Sequence, residues 1–109
     1  MNKLLEECII ACENCVVGCL KMNNTLCVNE CIVCERVCKT LKVANKCGVS
    51  SELLKSLKNS CKLACKECSI KCKTNDMACC KKCLVICEKL YVSLSSSTTK
   101  TKTKLNKLK

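Results

Sequence analysis

CIIACENCVVGC, residues 8 to 19, sets cysteine at Cys8, Cys12, Cys15 and Cys19. The gaps run four, three, four, the period that Leu, Ile and Val keep on the buried seam of a helix in a bundle. The pattern recurs. Cys27, Cys31, Cys34 and Cys38 repeat it, and so do Cys61, Cys65, Cys68 and Cys72. A last copy, Cys80, Cys83 and Cys87, keeps the three-four part and has Asp76 where its first cysteine would fall. Of the 17 cysteines, only Cys47 and Cys79 stand outside this register.

The breaks between copies are short. KMNNT (21–25) separates the first two, with Asn24 or Thr25 as an N-cap for the second helix. Gly48 suits a C-cap, and Ser50 or Ser51 can start the third helix. KTND (73–76) separates the last two copies, with Thr74 or Asn75 as the cap. The absence of proline and the presence of only 2 glycines permit long helices and give little punctuation for hairpins. Short connections make successive helices antiparallel neighbours. The expected fold is therefore all-α, an antiparallel up-down-up-down four-helix bundle with a cysteine-lined core over residues 1–94. Its helices fall near 3–22, 25–46, 51–73 and 75–94. SSSTTKTKTKLNKLK (95–109) is basic, lacks a helical period and reads as a disordered tail.

Extending each seam beyond its cysteines separates the two ends of such a bundle. Leu4 and Leu5, then Val37, Leu41 and Ala44, then Leu53, Leu54 and Leu57, then Leu90, Tyr91 and Leu94 gather at one end as an aliphatic plug. The opposite end carries the two short turns, with Met22 one step beyond Cys19 and Met77 beside Asp76, and reads as a mouth. Ile9, Val16, Val17, Ile32 and Val33 flank the seam and either widen the core stripe or bury a contact between subunits.

Composition narrows the chemistry. An odd cysteine count argues against a secreted disulfide scaffold, and Glu6, Glu7 and Glu13 interrupt the only N-terminal apolar run. No stretch approaches a membrane span. A reducing cytoplasm is the expected setting. Thiols at i and i+4 on a helix are about 5–6 Å apart at Cβ, too far for ready disulfide formation. The formal charge of +11 falls to +6 without Lys100, Lys102, Lys104, Lys107 and Lys109 of the tail. Such a balance suits nucleic acid or an anionic membrane, but there are no stacking aromatics beyond one Tyr and no reading motif, so that contact is the weaker inference. No histidine is present and no catalytic constellation is visible, which points away from an enzyme.

Cysteine is smaller than leucine, so fifteen on one face would leave a loose interior unless something fills it. Soft thiolates favour Cu(I), Zn(II) or iron–sulfur clusters. Zinc and iron–sulfur sites gather four cysteines, commonly from turns or loops, whereas CENC, CIVC, CKEC and CKKC here lie within helical patterns. Cu(I) accepts two sulfurs, so a ladder of CxxxC pairs can hold many ions. The candidate ligands are Cys8, Cys12, Cys15, Cys19, Cys27, Cys31, Cys34, Cys38, Cys61, Cys65, Cys68, Cys72, Cys80, Cys83 and Cys87. The surplus lysine offsets the charge of copper–thiolate units or simply solvates the helix faces. A general thiolate buffer or a zinc-binding structural protein is the alternative.

Over residues 4 to 94 the chain resembles the cytosolic four-helix-bundle copper storage proteins of bacteria. The repeated pairs Cys8/Cys12, Cys15/Cys19, Cys27/Cys31, Cys34/Cys38, Cys61/Cys65, Cys68/Cys72 and Cys83/Cys87 carry the resemblance. It implies a core that binds many Cu(I) ions through such pairs, access from one end, and a homo-oligomer, commonly a tetramer. Members often place histidine near the mouth, where this chain offers only Met22, Met77 and Asp76, with Cys79 a candidate substitute for the cysteine replaced by Asp76.

Overall fold

A computed structural model describes the backbone of residues 2–107 and the side chains of residues 2–95. Four helices follow one another: α1 (Asn2–Lys21), α2 (Val28–Cys47), α3 (Ser51–Lys73) and α4 (Ala78–Lys107). α1 packs on α2 and α4, and α3 packs on the same two, so the described helices close into a ring whose diagonals are crossed by side chains and not by backbone approach. Cross-helix partners fix the directions. Cys8 meets Cys34 while Cys19 meets Cys27, which makes α1 and α2 antiparallel. Cys31–Cys68, Cys34–Cys65 and Cys38–Cys61 set the same relation for α2 and α3. Cys8–Cys87, Cys12–Cys83 and Cys19–Cys80 set it for α1 and α4. The expected up-down-up-down bundle is the observed fold.

Two of the expected caps form. Gly48 takes φ 76°, in the left-handed region that glycine enters without a Cβ penalty, and its N–H donates to the Ala44 carbonyl at 3.1 Å. The Ser50 hydroxyl accepts from the Leu53 N–H at 3.1 Å and starts α3 at Ser51. The turn-end caps differ from expectation. α2 begins at Val28 rather than near 25, with Cys27 at the N-cap and no side-chain cap bond. α4 begins at Ala78 rather than near 75, and Thr74 instead terminates α3, its hydroxyl donating to the Lys71 carbonyl at 2.8 Å. Asn24 and Asn75 are engaged with one another across the two turns, and Asn24 Oδ1 also accepts from the Leu26 N–H at 3.2 Å, ahead of the first turn of α2. α4 runs through Lys107, past the limit expected near residue 94. The side chains of residues 96–109, on which the expected disordered tail falls, lie outside the described residues.

The plug is present in reduced form. Leu5, Leu41, Leu90 and Leu94 are fully buried, Ala44 is buried, and Leu4, Val37, Leu54, Leu57 and Tyr91 pack against the cluster. Leu53 is 47% exposed and does not join it: it lies in the first turn of α3, one position before the seam-facing Leu54. Of the flanking residues, Ile9, Val16 and Ile32 widen the core stripe, whereas Val17 and Val33 face solvent. Ion pairs lace α1 to α2 on the outside: Lys42 pairs with Glu6, and Lys39 bridges Glu13 at 3.2 Å and Glu35 at 2.9 Å. No helix among the described residues is long and apolar enough to cross a membrane.

Candidate metal centre

All fifteen seam cysteines are buried at 0–1% exposure, and each is a free thiol. The period that places them on one face of each helix also stacks them in layers along the bundle axis. Against the plug lie Cys38 and Cys61, with sulfurs 3.5 Å apart. Next come Cys8, Cys34, Cys65 and Cys87, joined by contacts of 3.7–4.0 Å. Cys12, Cys31, Cys68, Cys72 and Cys83 follow, at 3.5–4.0 Å. Cys15, Cys19, Cys27 and Cys80 end the column at the turns.

The closest sulfur contacts mostly cross between helices. Only Cys15–Cys19 (3.9 Å), Cys68–Cys72 (4.0 Å) and Cys83–Cys87 (3.8 Å) are CxxxC pairs within one helix at comparable range. A ladder of separate rungs is thus a poor description. Several groups of four sulfurs lie within 4.8 Å of one another, each capable of holding a metal ion, including Cys8/Cys12/Cys34/Cys87, Cys8/Cys34/Cys38/Cys65, Cys12/Cys68/Cys83/Cys87 and Cys15/Cys31/Cys72/Cys83. Members such as Cys8, Cys34 and Cys83 belong to two groups at once, so the groups share thiols.

Burial raises the proton affinity of two thiols at the turn end, Cys19 and Cys80. It pushes the Cys19 thiol up to about 11 and raises Cys80 in the same direction, because a thiolate in an apolar interior loses hydration. Cys65 is raised chiefly by hydrogen bonding with Cys34, 3.7 Å away. At these three positions the thiols hold protons that a soft cation must displace, whereas Cys61 is lowered to about 5, chiefly by hydrogen bonding with Cys38.

Met22 is 70% exposed, and Asp76 is exposed as well. Met77 is half-buried against the core. The residue covering the sulfur column is Asn75, 5% exposed, whose amide exchanges hydrogen bonds with Asn24 at 3.0 and 3.1 Å. The same Asn75 amide nitrogen donates to Cys19 Sγ at 3.9 Å and Cys27 Sγ at 3.8 Å. Sequence reasoning missed this function for Asn75, although a signal existed: after Cys68 and Cys72, residues 75 and 79 continue the four-three-four register.

Cys79 occupies the second of those positions. It is half-buried, reaches the Cys15 carbonyl at 3.9 Å, and forms a four-sulfur group with Cys15, Cys19 and Cys80. Gly18 makes room for it, since a Cβ there would lie 2.9 Å from Cys79 Sγ. Cys79 also lines a groove of about 720 Å³ between α1 and α4, with Ile10, Ala11, Val85 and Ile86. Cys47 is exposed at the opposite end of the bundle, apart from the other thiols.

Residues 1–96 match the family model of copper storage proteins. No curated protein and no solved structure matches the chain. A match of that extent, on a helical bundle whose core is a column of free thiols, decides the relationship: the chain belongs to the copper storage protein family.

Proposed function

We propose that the protein is a non-enzymatic cytosolic store that takes up many Cu(I) ions on the fifteen seam cysteines. The observation that carries this reading is the unbroken column of buried free thiols. A thiol column with shared members suits Cu(I), which accepts few ligands and tolerates thiolates bridging two ions, better than it suits a set of isolated four-coordinate sites. With a metal–thiolate bond of about 2.3 Å, three sulfurs round one ion are spaced by about 4.0 Å and two in line by about 4.6 Å. The observed spacings of 3.5–4.0 Å therefore need only a slight expansion of the core to accept ions throughout. The positive balance of the chain complements the negative charge that copper–thiolate units place inside it.

The reading includes a homo-oligomer, supported by the exposed apolar side chains Ile10, Val17, Val33 and Val85 on three of the helices. It also treats residues 95–109 as an accessory tail outside the bundle. Titration of the reduced protein with Cu(I) against a competing chelator tests the proposal, and a chain ending at residue 94 provides the comparison. The expected result is saturation at several ions per chain, the same with and without the tail. Saturation at one or two ions would sink the storage reading.

A further inference from the structure

Cys15, Cys19, Cys27 and Cys80 have all six mutual sulfur distances within 4.0 Å. The Cys15–Cys80, Cys19–Cys80 and Cys27–Cys80 edges are 3.5 Å, Cys15–Cys27 and Cys19–Cys27 are 3.7 Å, and Cys15–Cys19 is 3.9 Å. These are the edges of a nearly regular tetrahedron. Edges of that length put each sulfur about 2.2 Å from a common centre, against about 2.3 Å for a zinc–thiolate bond. The other four-sulfur groups are bounded by the looser limit of 4.8 Å.

From this geometry we infer that Cys15, Cys19, Cys27 and Cys80 form a closed tetrahedral site for one divalent cation of the Zn²⁺ class, on four of the fifteen seam thiols, so that this cation and Cu(I) would compete there. Three further features fit a metal thiolate centre. The ligands come from α1, from the residue preceding α2 and from the first turn of α4, so one ion would draw on three separate segments. The buried Asn75 amide donates to two of the four sulfurs, the kind of N–H···S support that orients and stabilises metal thiolates. Asn24 in turn holds Asn75 in place. A single ion there would tie α1, α2 and α4 together at the end of the bundle that lacks an aliphatic plug.

The test uses Co²⁺ as a spectroscopic probe on the reduced, full-length chain, followed by displacement with Zn²⁺. The first equivalent of Co²⁺ should give the intense visible absorption of a tetrahedral cobalt–thiolate centre, and one equivalent of Zn²⁺ should abolish it. Cys27→Ser and Cys80→Ser should each weaken that first site by at least about tenfold, Asn75→Ala by about tenfold, and Cys65→Ser should leave it unchanged. Helical circular dichroism establishes that each variant is folded, and either of the two ligand variants that retains its helices suffices. An octahedral first-equivalent spectrum would overturn the assignment. So would a tetrahedral one that keeps its affinity in a folded Cys27→Ser or Cys80→Ser variant. The Cu(I) stoichiometry of the wild-type chain is measured separately, so a failed zinc site leaves the storage reading standing, and the converse holds.

Discussion

Gly18→Ala isolates how one half-buried thiol is held against the column. In a helix interior, alanine is worth about 0.8–1.0 kcal/mol over glycine, so the substitution should stabilise α1. Here the new Cβ would lie 2.9 Å from Cys79 Sγ but an ordinary 3.5 Å from Cys79 Cβ. Carbon and its neighbours settle near 3.5–4.0 Å, so the sulfur must move by roughly 0.6 Å or more. Cysteine has one side-chain torsion, and moving it means leaving its rotamer or displacing α4, at a cost of about 1–3 kcal/mol. Gly18→Ala alone is therefore expected to be neutral or to destabilise by up to about 2 kcal/mol. In a Cys79→Ala background the obstacle is gone, and the same change should stabilise by up to about 1 kcal/mol. The four proteins form a double-mutant cycle, read by urea unfolding of the reduced, metal-free chains followed by circular dichroism. A coupling energy of about 1–3 kcal/mol is expected. If Gly18→Ala shifts stability equally in both backgrounds, to within about 0.5 kcal/mol, the contact does not exist as described.

Two further outcomes follow from other parts of the molecule. Leu41→Ala empties a fully buried plug position and should cost the metal-free protein about 2–5 kcal/mol, while the number of Cu(I) ions bound at saturation stays the same; a fall in copper count would show the plug to be part of the binding chamber. The raised thiol of Cys19 makes stability depend on alkaline pH: the unfolded chain releases this proton near the ordinary value of 9.0, the folded chain only near 11, so ν for the unfolded state is the smaller between those limits. Stability of the metal-free protein should be unaffected by this group below about pH 9 and should decline from about pH 9 to 11, with Cys80 acting in the same sense; urea midpoints that rise over that range would contradict the burial argument.

Much of the fold was legible because its determinants are local and periodic. The four-three-four spacing put every seam cysteine on the buried face, and Ser50 and Gly48 marked helix ends by chemistry that acts over three or four residues. Leu53 was misplaced because an apolar residue beside the seam satisfies the same composition as one on it. The turn end was less legible for a different reason. Asn24 and Asn75 both suit N-caps, and nothing in either local stretch says that two amides 51 positions apart will satisfy each other instead. Sulfur partnerships were hidden in the same way. Spacing along one helix brings Cys15 near Cys19, but it is silent on the rotation and offset that bring both of them to Cys27 and Cys80. The place of Cys79 depended on the missing Cβ at Gly18, a feature of a different helix.

The leucine plug bears on reversibility. A small domain organised wholly by its metal would unravel on release, and each round of unloading would expose reactive thiols to oxidation and the chain to proteases. Leu5, Leu41, Leu90 and Leu94 anchor α1, α2 and α4 at the end away from the turns, through contacts that owe nothing to any ion. Each such side chain supplies about 1.5–3 kcal/mol of burial whether the column is full or vacant. The scaffold can thus outlast its contents, and a vessel that keeps its shape when emptied can be filled again without being remade.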